Sequence, residues 1–110
     1  MSSWIALTTE QQLDDIAHND TYCIIYKHST RCPISSMAKK SIQLEEVLLP
    51  DDLPRYYLDL FAYRQVSNKI AEKWQVRHES PQLLLIKGNE CVYHASHNNI
   101  RLADVIKQIG

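Results

Sequence analysis

Tyr22-Cys23-Ile24-Ile25-Tyr26 is a nearly unbroken run of aromatic, β-branched and other apolar residues, extended by Lys27 and His28. A strand of this composition has no polar face to turn toward water, so it belongs in the middle of a sheet covered on both sides. The rest of the chain supplies the cover. Trp4 to Leu7 reads as a short first strand. Thr8 followed by Gln11 has the spacing of a capping box, and Leu13, Ile16 and Ala17 recur at helical spacing, predicting a helix from about Thr9 to His18. After the central strand, a second helix begins at Pro33. Its apolar positions Ile34, Met37, Ala38, Ile42, Val47, Leu48 and Leu49 are read as the core-facing stripe, opposite Lys39, Lys40, Gln43 and Glu46.

Arg55 to Phe61 reads as a third strand, and Val66, Ile70, Ala71 and Trp74 line a third helix. Gln82 to Ile86 and Cys91 to His94 are two strands joined through Gly88-Asn89, a hairpin signal. Asn98 or Asn99 is expected to cap a last helix carrying Leu102, Ala103, Ile106 and Ile109. The order is β-α-β-α-β-α-β-β-α. Strands separated by helices imply parallel pairing, and the late hairpin adds antiparallel strands. The fold class is therefore α/β, a mixed central sheet with helices on both faces, in one domain spanning residues 1–110.

The junction between the central strand and the second helix, Thr30-Arg31-Cys32-Pro33-Ile34-Ser35, carries the chemistry. The first N–H groups of a helix lack intrahelical partners, and together with the helix dipole they favour a thiolate over a thiol. Proline suits the first helical position because its missing N–H would have been an orphan there. The thiolate is the nucleophilic form, and the charge of Arg31 beside Cys32 is expected to favour it further. A small buried hydrophobe is the common fate of a free cysteine, but this position argues against it. Ser35 stands where a dithiol oxidoreductase carries a second, resolving cysteine. A mixed disulfide at Cys32 must then wait for an external thiol or a distant cysteine.

Composition narrows the partners. Twelve basic and thirteen acidic residues leave a net charge of −1, which gives no electrostatic case for nucleic acid or an anionic membrane surface. No apolar run approaches a membrane span, and Glu10, Asp14 and Asp15 interrupt any early leader-like stretch, so a cytoplasmic protein is expected. Three cysteines is an odd count for a disulfide scaffold. Their wide spacing offers no zinc pattern, and no metal or tightly bound cofactor is expected. The phosphatase loop, with an arginine six residues after its cysteine, fails because that position is Ala38. Cys23 and Cys91 lie in strand-like runs and are read as buried. His28, His78, His94 and His97 are read as surface or loop residues, with His28 and His78 bracketing the site. Asp59 is expected to make local hydrogen bonds at its strand end.

Pro81, in His78-Glu79-Ser80-Pro81, precedes the fourth strand. With Cys-Pro-x-Ser and the element order above, this resembles the thioredoxin superfamily over essentially the whole chain. The resemblance implies a cis-proline at Pro81 lying beside the nucleophile, with Ser80 offering its backbone to substrate. Lys27-His28-Ser29 leading into Cys32-Pro33-Ile34-Ser35, together with His78-Glu79-Ser80-Pro81-Gln82, is more closely similar to the bacilliredoxin C family of small bacterial thioredoxin-like proteins. That resemblance implies a monothiol thiol-disulfide oxidoreductase that removes bacillithiol, or a similar small thiol, from S-thiolated client proteins. Cys32 would be the nucleophile, with Pro33, Ile34, Ser35, Ser80 and Pro81 around the substrate and bacillithiol as co-substrate; Arg31 joins this substrate-binding set on physical grounds and not from the family pattern. Arg31 could attract a carboxylate-bearing thiol of this kind. Two readings stay open beside it: an iron–sulfur-binding monothiol glutaredoxin-like protein, though Pro33 and Ile34 replace the Gly and Phe of its motif, and a non-catalytic thioredoxin-like interaction protein.

Overall fold

The computed structural model describes residues 3–109. In chain order the elements are β1 (Ile5–Ala6), α1 (Glu10–His18), β2 (Tyr22–His28), α2 (Pro33–Glu45), β3 (Arg55–Asp59), α3 (Arg64–Trp74), β4 (Gln82–Lys87), β5 (Glu90–Ser96) and α4 (Leu102–Ile109). Short 3-10 turns at Glu46–Leu48 and His97–Asn99 follow α2 and β5. The strands form one sheet in the order β1-β3-β2-β4-β5, so the apolar run does lie at its centre. β1, β3 and β2 run parallel, β4 is antiparallel to β2, and β5 is antiparallel to β4. Antiparallel pairing thus begins at β2–β4, one strand before the hairpin itself.

Alternation along β2 feeds two cores. Ile24 and Tyr26 join Ala38 and Ile42 of α2 and Leu102 and Val105 of α4 on one face. Cys23 and Ile25 join Leu13 and Ile16 of α1 and Val66, Ile70 and Trp74 of α3 on the other. This division follows from the two-residue period of a strand, which sends successive side chains to opposite faces. Between β4 and β5, Gly88 takes φ +61°, a conformation that glycine adopts without a Cβ penalty. Its carbonyl accepts the Trp74 Nε1–H at 2.9 Å, fixing the hairpin to α3.

Several local expectations are corrected. The capping box uses Thr9 and Gln12, one residue later than Thr8 and Gln11: the extended Thr9 accepts the Gln12 N–H, and the Gln12 side chain accepts the Thr9 N–H at 3.0 Å. The core face of α2 is Ser35, Ala38 and Ile42, whereas Ile34, Met37, Val47 and Leu48 are exposed. The helix also ends at Glu45, before the 3-10 turn. Asn98 and Asn99 lie in the 3-10 turn and do not cap α4; the Leu102 N–H is instead taken by Glu45 Oε1 at 3.1 Å. His28 is buried, because the strand period places it on the α2 face with Tyr26. No helix among the described residues is long and apolar enough to cross a membrane.

Candidate active site at the start of α2

Cys32 is the N-cap residue of α2 and Pro33 its first helical residue. The backbone reaches this point through a tight turn in which the Cys32 N–H donates to the Ser29 carbonyl at 3.2 Å. Cys32 is partly exposed, and its sulfur faces the first helical turn without forming a full capping hydrogen bond. The Ser35 N–H, followed by the Ile34 N–H and the Ser35 hydroxyl, holds its thiol below the ordinary range against a smaller opposing effect of desolvation. The helix terminus accounts for this depression. Arg31 does not take part in it: its guanidinium stacks over the Phe61 ring, 4.4 Å from the centroid. Pro33 and Ile34 are exposed beside the sulfur.

Ser35 is wholly buried, and its hydroxyl oxygen accepts the Ser29 N–H at 3.2 Å. A second tie runs beneath it. The Tyr26 hydroxyl donates to the Ser35 carbonyl at 2.9 Å and lies 3.0 Å from His28 Nδ1. Tyr26 has one proton to give, so His28 must donate its Nδ1–H to the Tyr26 oxygen, which fixes that tautomer. Burial, with the Lys39 charge adding to it and Asp59 opposing, holds His28 below its usual range and keeps the ring neutral. Burial also pushes the Tyr26 phenol up, so it remains a donor. The chain His28–Tyr26–Ser35 pins the first turn of α2 to the central strand and keeps its donors aimed at Cys32.

The Ser80–Pro81 peptide bond is cis. Lys27 pairs with Gln82 across β2 and β4, so Pro81 stands one residue further on, at the end of the sheet from which the Cys32 turn departs. The segment before it is anchored from both sides. The buried Lys27 ammonium donates to His78 Nδ1 at 3.2 Å. Glu79 accepts from the Ser96 hydroxyl at 2.9 Å and pairs with His97 Nε2 at 3.4 Å. The His97 N–H donates to the Pro81 carbonyl at 3.0 Å. Burial pulls Lys27 down to about 8. The Ser80 hydroxyl oxygen is buried with no hydrogen-bond partner among the described residues.

The other two thiols stand apart from this region in chemistry. Burial pushes Cys23 up to about 12 and Cys91 to about 11. Cys23 is buried as expected, while Cys91 is only partly covered. Among the described residues no cluster of histidine, cysteine and carboxylate side chains is arranged to hold a metal ion.

Residues 5–105 match the family model for the monothiol bacilliredoxin BrxC. The chain belongs to the monothiol bacilliredoxin family. It is a thiol-disulfide oxidoreductase with a thioredoxin fold, and membership implies a low-molecular-weight thiol as substrate and thiol-modified proteins as partners. A solved structure described as a candidate oxidoreductase with a thioredoxin fold is similar at 29% identity and TM-score 0.83, covering 99% of this chain and 96% of that one. The thioredoxin of Malassezia sympodialis matches at 17% identity and TM-score 0.75, over 96% of this chain and 90% of its own. A chain from a study of thiol resolution in a yeast mitochondrial 1-Cys peroxiredoxin matches at 16% identity and TM-score 0.73, over 98% of this chain and 94% of its own. These last two likenesses speak to the fold alone.

Two features of this bacilliredoxin's site escaped the sequence. The His28–Tyr26–Ser35 chain was signalled by period-two spacing in β2, which places Tyr26 and His28 on one face, but histidine reads by default as a surface residue. The Phe61 platform under Arg31 had no signal, because the two residues are thirty positions apart in the chain.

Proposed function

We propose that this protein removes bacillithiol from S-thiolated client proteins by a monothiol route at Cys32, in the cytoplasm. The observation that carries the reading is the pairing of a depressed, partly exposed thiol at Cys32 with a buried serine at position 35, where a resolving thiol would stand. The Cys32 thiolate attacks the small-thiol sulfur of the client mixed disulfide. The client sulfur departs as a thiolate and takes a proton from solvent, leaving the small thiol disulfide-bonded to Cys32. A second molecule of small thiol, as its thiolate, attacks the sulfur of that adduct. It departs as the symmetric small-molecule disulfide, and the Cys32 thiolate returns. The same stabilisation of Cys32 serves both halves, since a lower leaving-group pKa speeds departure.

The substrate sits, in this reading, between the exposed Pro33–Ile34 turn and the Ser80–Pro81 segment, with the Ser80 backbone lying along an extended client strand. Cys23 and Cys91 take no part, because burial keeps both thiols protonated. The test is a reaction of the reduced protein with the symmetric disulfide of the small thiol, read by intact mass and peptide mapping. One adduct on Cys32 and no internal disulfide is expected. A Cys32–Cys23 or Cys32–Cys91 bond would overturn the monothiol route.

A further inference from the structure

A groove of about 270 Å³ runs alongside α2, with Met37, Ala38 and Ser41 on one wall and His97, Asn98 and Arg101 on the other. Both walls lead back to Cys32. Met37 lies one helical turn beyond Pro33, about 6 Å along the axis at 1.5 Å per residue. The opposite wall is fastened to the cis-proline segment by the His97 N–H to Pro81 carbonyl bond and by the His97–Glu79 pair. His97 itself takes φ +56°, a bend that sets the 3-10 turn against α2.

The walls carry a guanidinium, an imidazole, a hydroxyl and an amide, and no carboxylate. Arg101 is exposed and has no ion pair among the described residues. The carboxylates on the adjoining segments have partners of their own: Glu79 with Ser96 and His97, Glu45 with the Leu102 N–H, and Asp104 with Lys107. Arg31 is a poorer candidate for an anionic group here. It is drawn over Phe61, just beyond β3, on the opposite side of β2 from β4 and the groove. The volume falls just below the usual range for small-molecule sites, about 300–1,000 Å³, which suits the tail of a small thiol rather than a protein segment.

We infer that this groove is the subsite for the non-thiol part of the small-thiol substrate, and that Arg101 receives its carboxylate. The inference rests on the monothiol reading above and assigns the charge selection to Arg101 rather than Arg31. An arginine–carboxylate pair is charge-assisted and can be bidentate, which gives it geometric as well as electrostatic discrimination.

The test compares one client protein carrying either a bacillithiol or a 2-mercaptoethanol mixed disulfide, with release measured for the wild type, Arg101→Met, Arg31→Met and, as a remote-charge control, Lys107→Met. Arg101→Met should raise KM for the bacillithiol adduct by about tenfold, the loss of one charged hydrogen-bonded contact, and alter the 2-mercaptoethanol reaction far less. Added salt should weaken the wild-type preference and leave the variant's unchanged. Arg31→Met and Lys107→Met should keep the preference. Equal losses with both adducts, no loss with either, or transfer of the effect to Arg31→Met would overturn the assignment while leaving the monothiol reaction standing. Failure of the wild type with both adducts, despite rapid alkylation of Cys32, would instead overturn the monothiol reading and this inference with it. Matching unfolding temperatures for Arg101→Met and wild type exclude a folding defect.

Discussion

Replacing Ser35 with alanine removes one hydroxyl that does two things. Its oxygen accepts the Ser29 N–H, and its proton helps hold Cys32 as a thiolate. Alanine fits the space but leaves the Ser29 N–H, on a residue only 9% exposed, without its acceptor. An orphaned buried donor costs about 1–3 kcal/mol. For a chain of 110 residues the unfolding entropy is about 0.23 kcal/mol/K, so each kcal/mol lowers Tm by about 4 °C. The expected fall is therefore about 4–12 °C by calorimetry or circular dichroism. The pH profile of iodoacetamide labelling at Cys32 should also move to higher pH, because one donor to the sulfur is gone. The move should be partial, since the Ser35 N–H, the leading donor, belongs to the backbone and survives the substitution. An unchanged Tm would refute the pinning role, and an unchanged labelling profile would refute the hydroxyl's part in stabilising the thiolate.

Ser35→Cys should create a thiol one turn from Cys32, and mild oxidant should then close an internal disulfide, read as the loss of two hydrogens by intact mass; persistence of both thiols would count against the assigned geometry. In the wild type, iodoacetamide at pH 8 should label Cys32 well before Cys23 or Cys91, whose thiols are pushed up to about 12 and 11; early labelling of either would contradict their burial. Lys27 makes the pH-dependent prediction. Its folded value of about 8 lies below the usual 10.5, so the unfolded chain binds more protons between those values and this residue's contribution to stability rises with pH across that window. The stability of Lys27→Met relative to wild type should therefore fall by about 3 kcal/mol from pH 7 toward pH 10.5, measured by urea unfolding; a flat or rising difference would remove the buried ammonium from the account.

The central strand was legible because its residues admit only one environment, and β2 runs from Tyr22 to His28 as read. Gly88-Asn89 was legible for a similar reason, since the turn demands a positive φ. Asp59 also behaves as expected, accepting the Phe61 and Ala62 N–H groups at its strand end. The buried face of α2 was legible only in part: Ala38 and Ile42 face the core as expected, whereas Ile34 and Met37 do not and Ser35 does. Apolar character alone favours Ile34 and Met37 over Ser35 for the inward face of the first turns. The structure turns Ser35 inward, where its hydroxyl accepts the Ser29 N–H and its carbonyl accepts the Tyr26 hydroxyl. At the site, Cys32 and its helix-terminal setting were readable from local sequence. Adjacency in sequence points Arg31 at the thiolate, yet an arginine side chain is long enough to leave its neighbour for an aromatic face. Arg101 and its groove depend on where α4 is seated, which no local pattern records.

The most direct test of the account follows a bacillithiol group from a client protein to Cys32. A single-cysteine client bearing bacillithiol is mixed with the reduced protein, quenched with acid, and both partners are weighed by mass spectrometry. The client should lose the adduct as Cys32 gains it, Cys32→Ser should abolish the transfer, and Cys23→Ser and Cys91→Ser should preserve it. A glutathionylated client should react more slowly. Equal or faster reaction with glutathione, or transfer that survives Cys32→Ser, would contradict it.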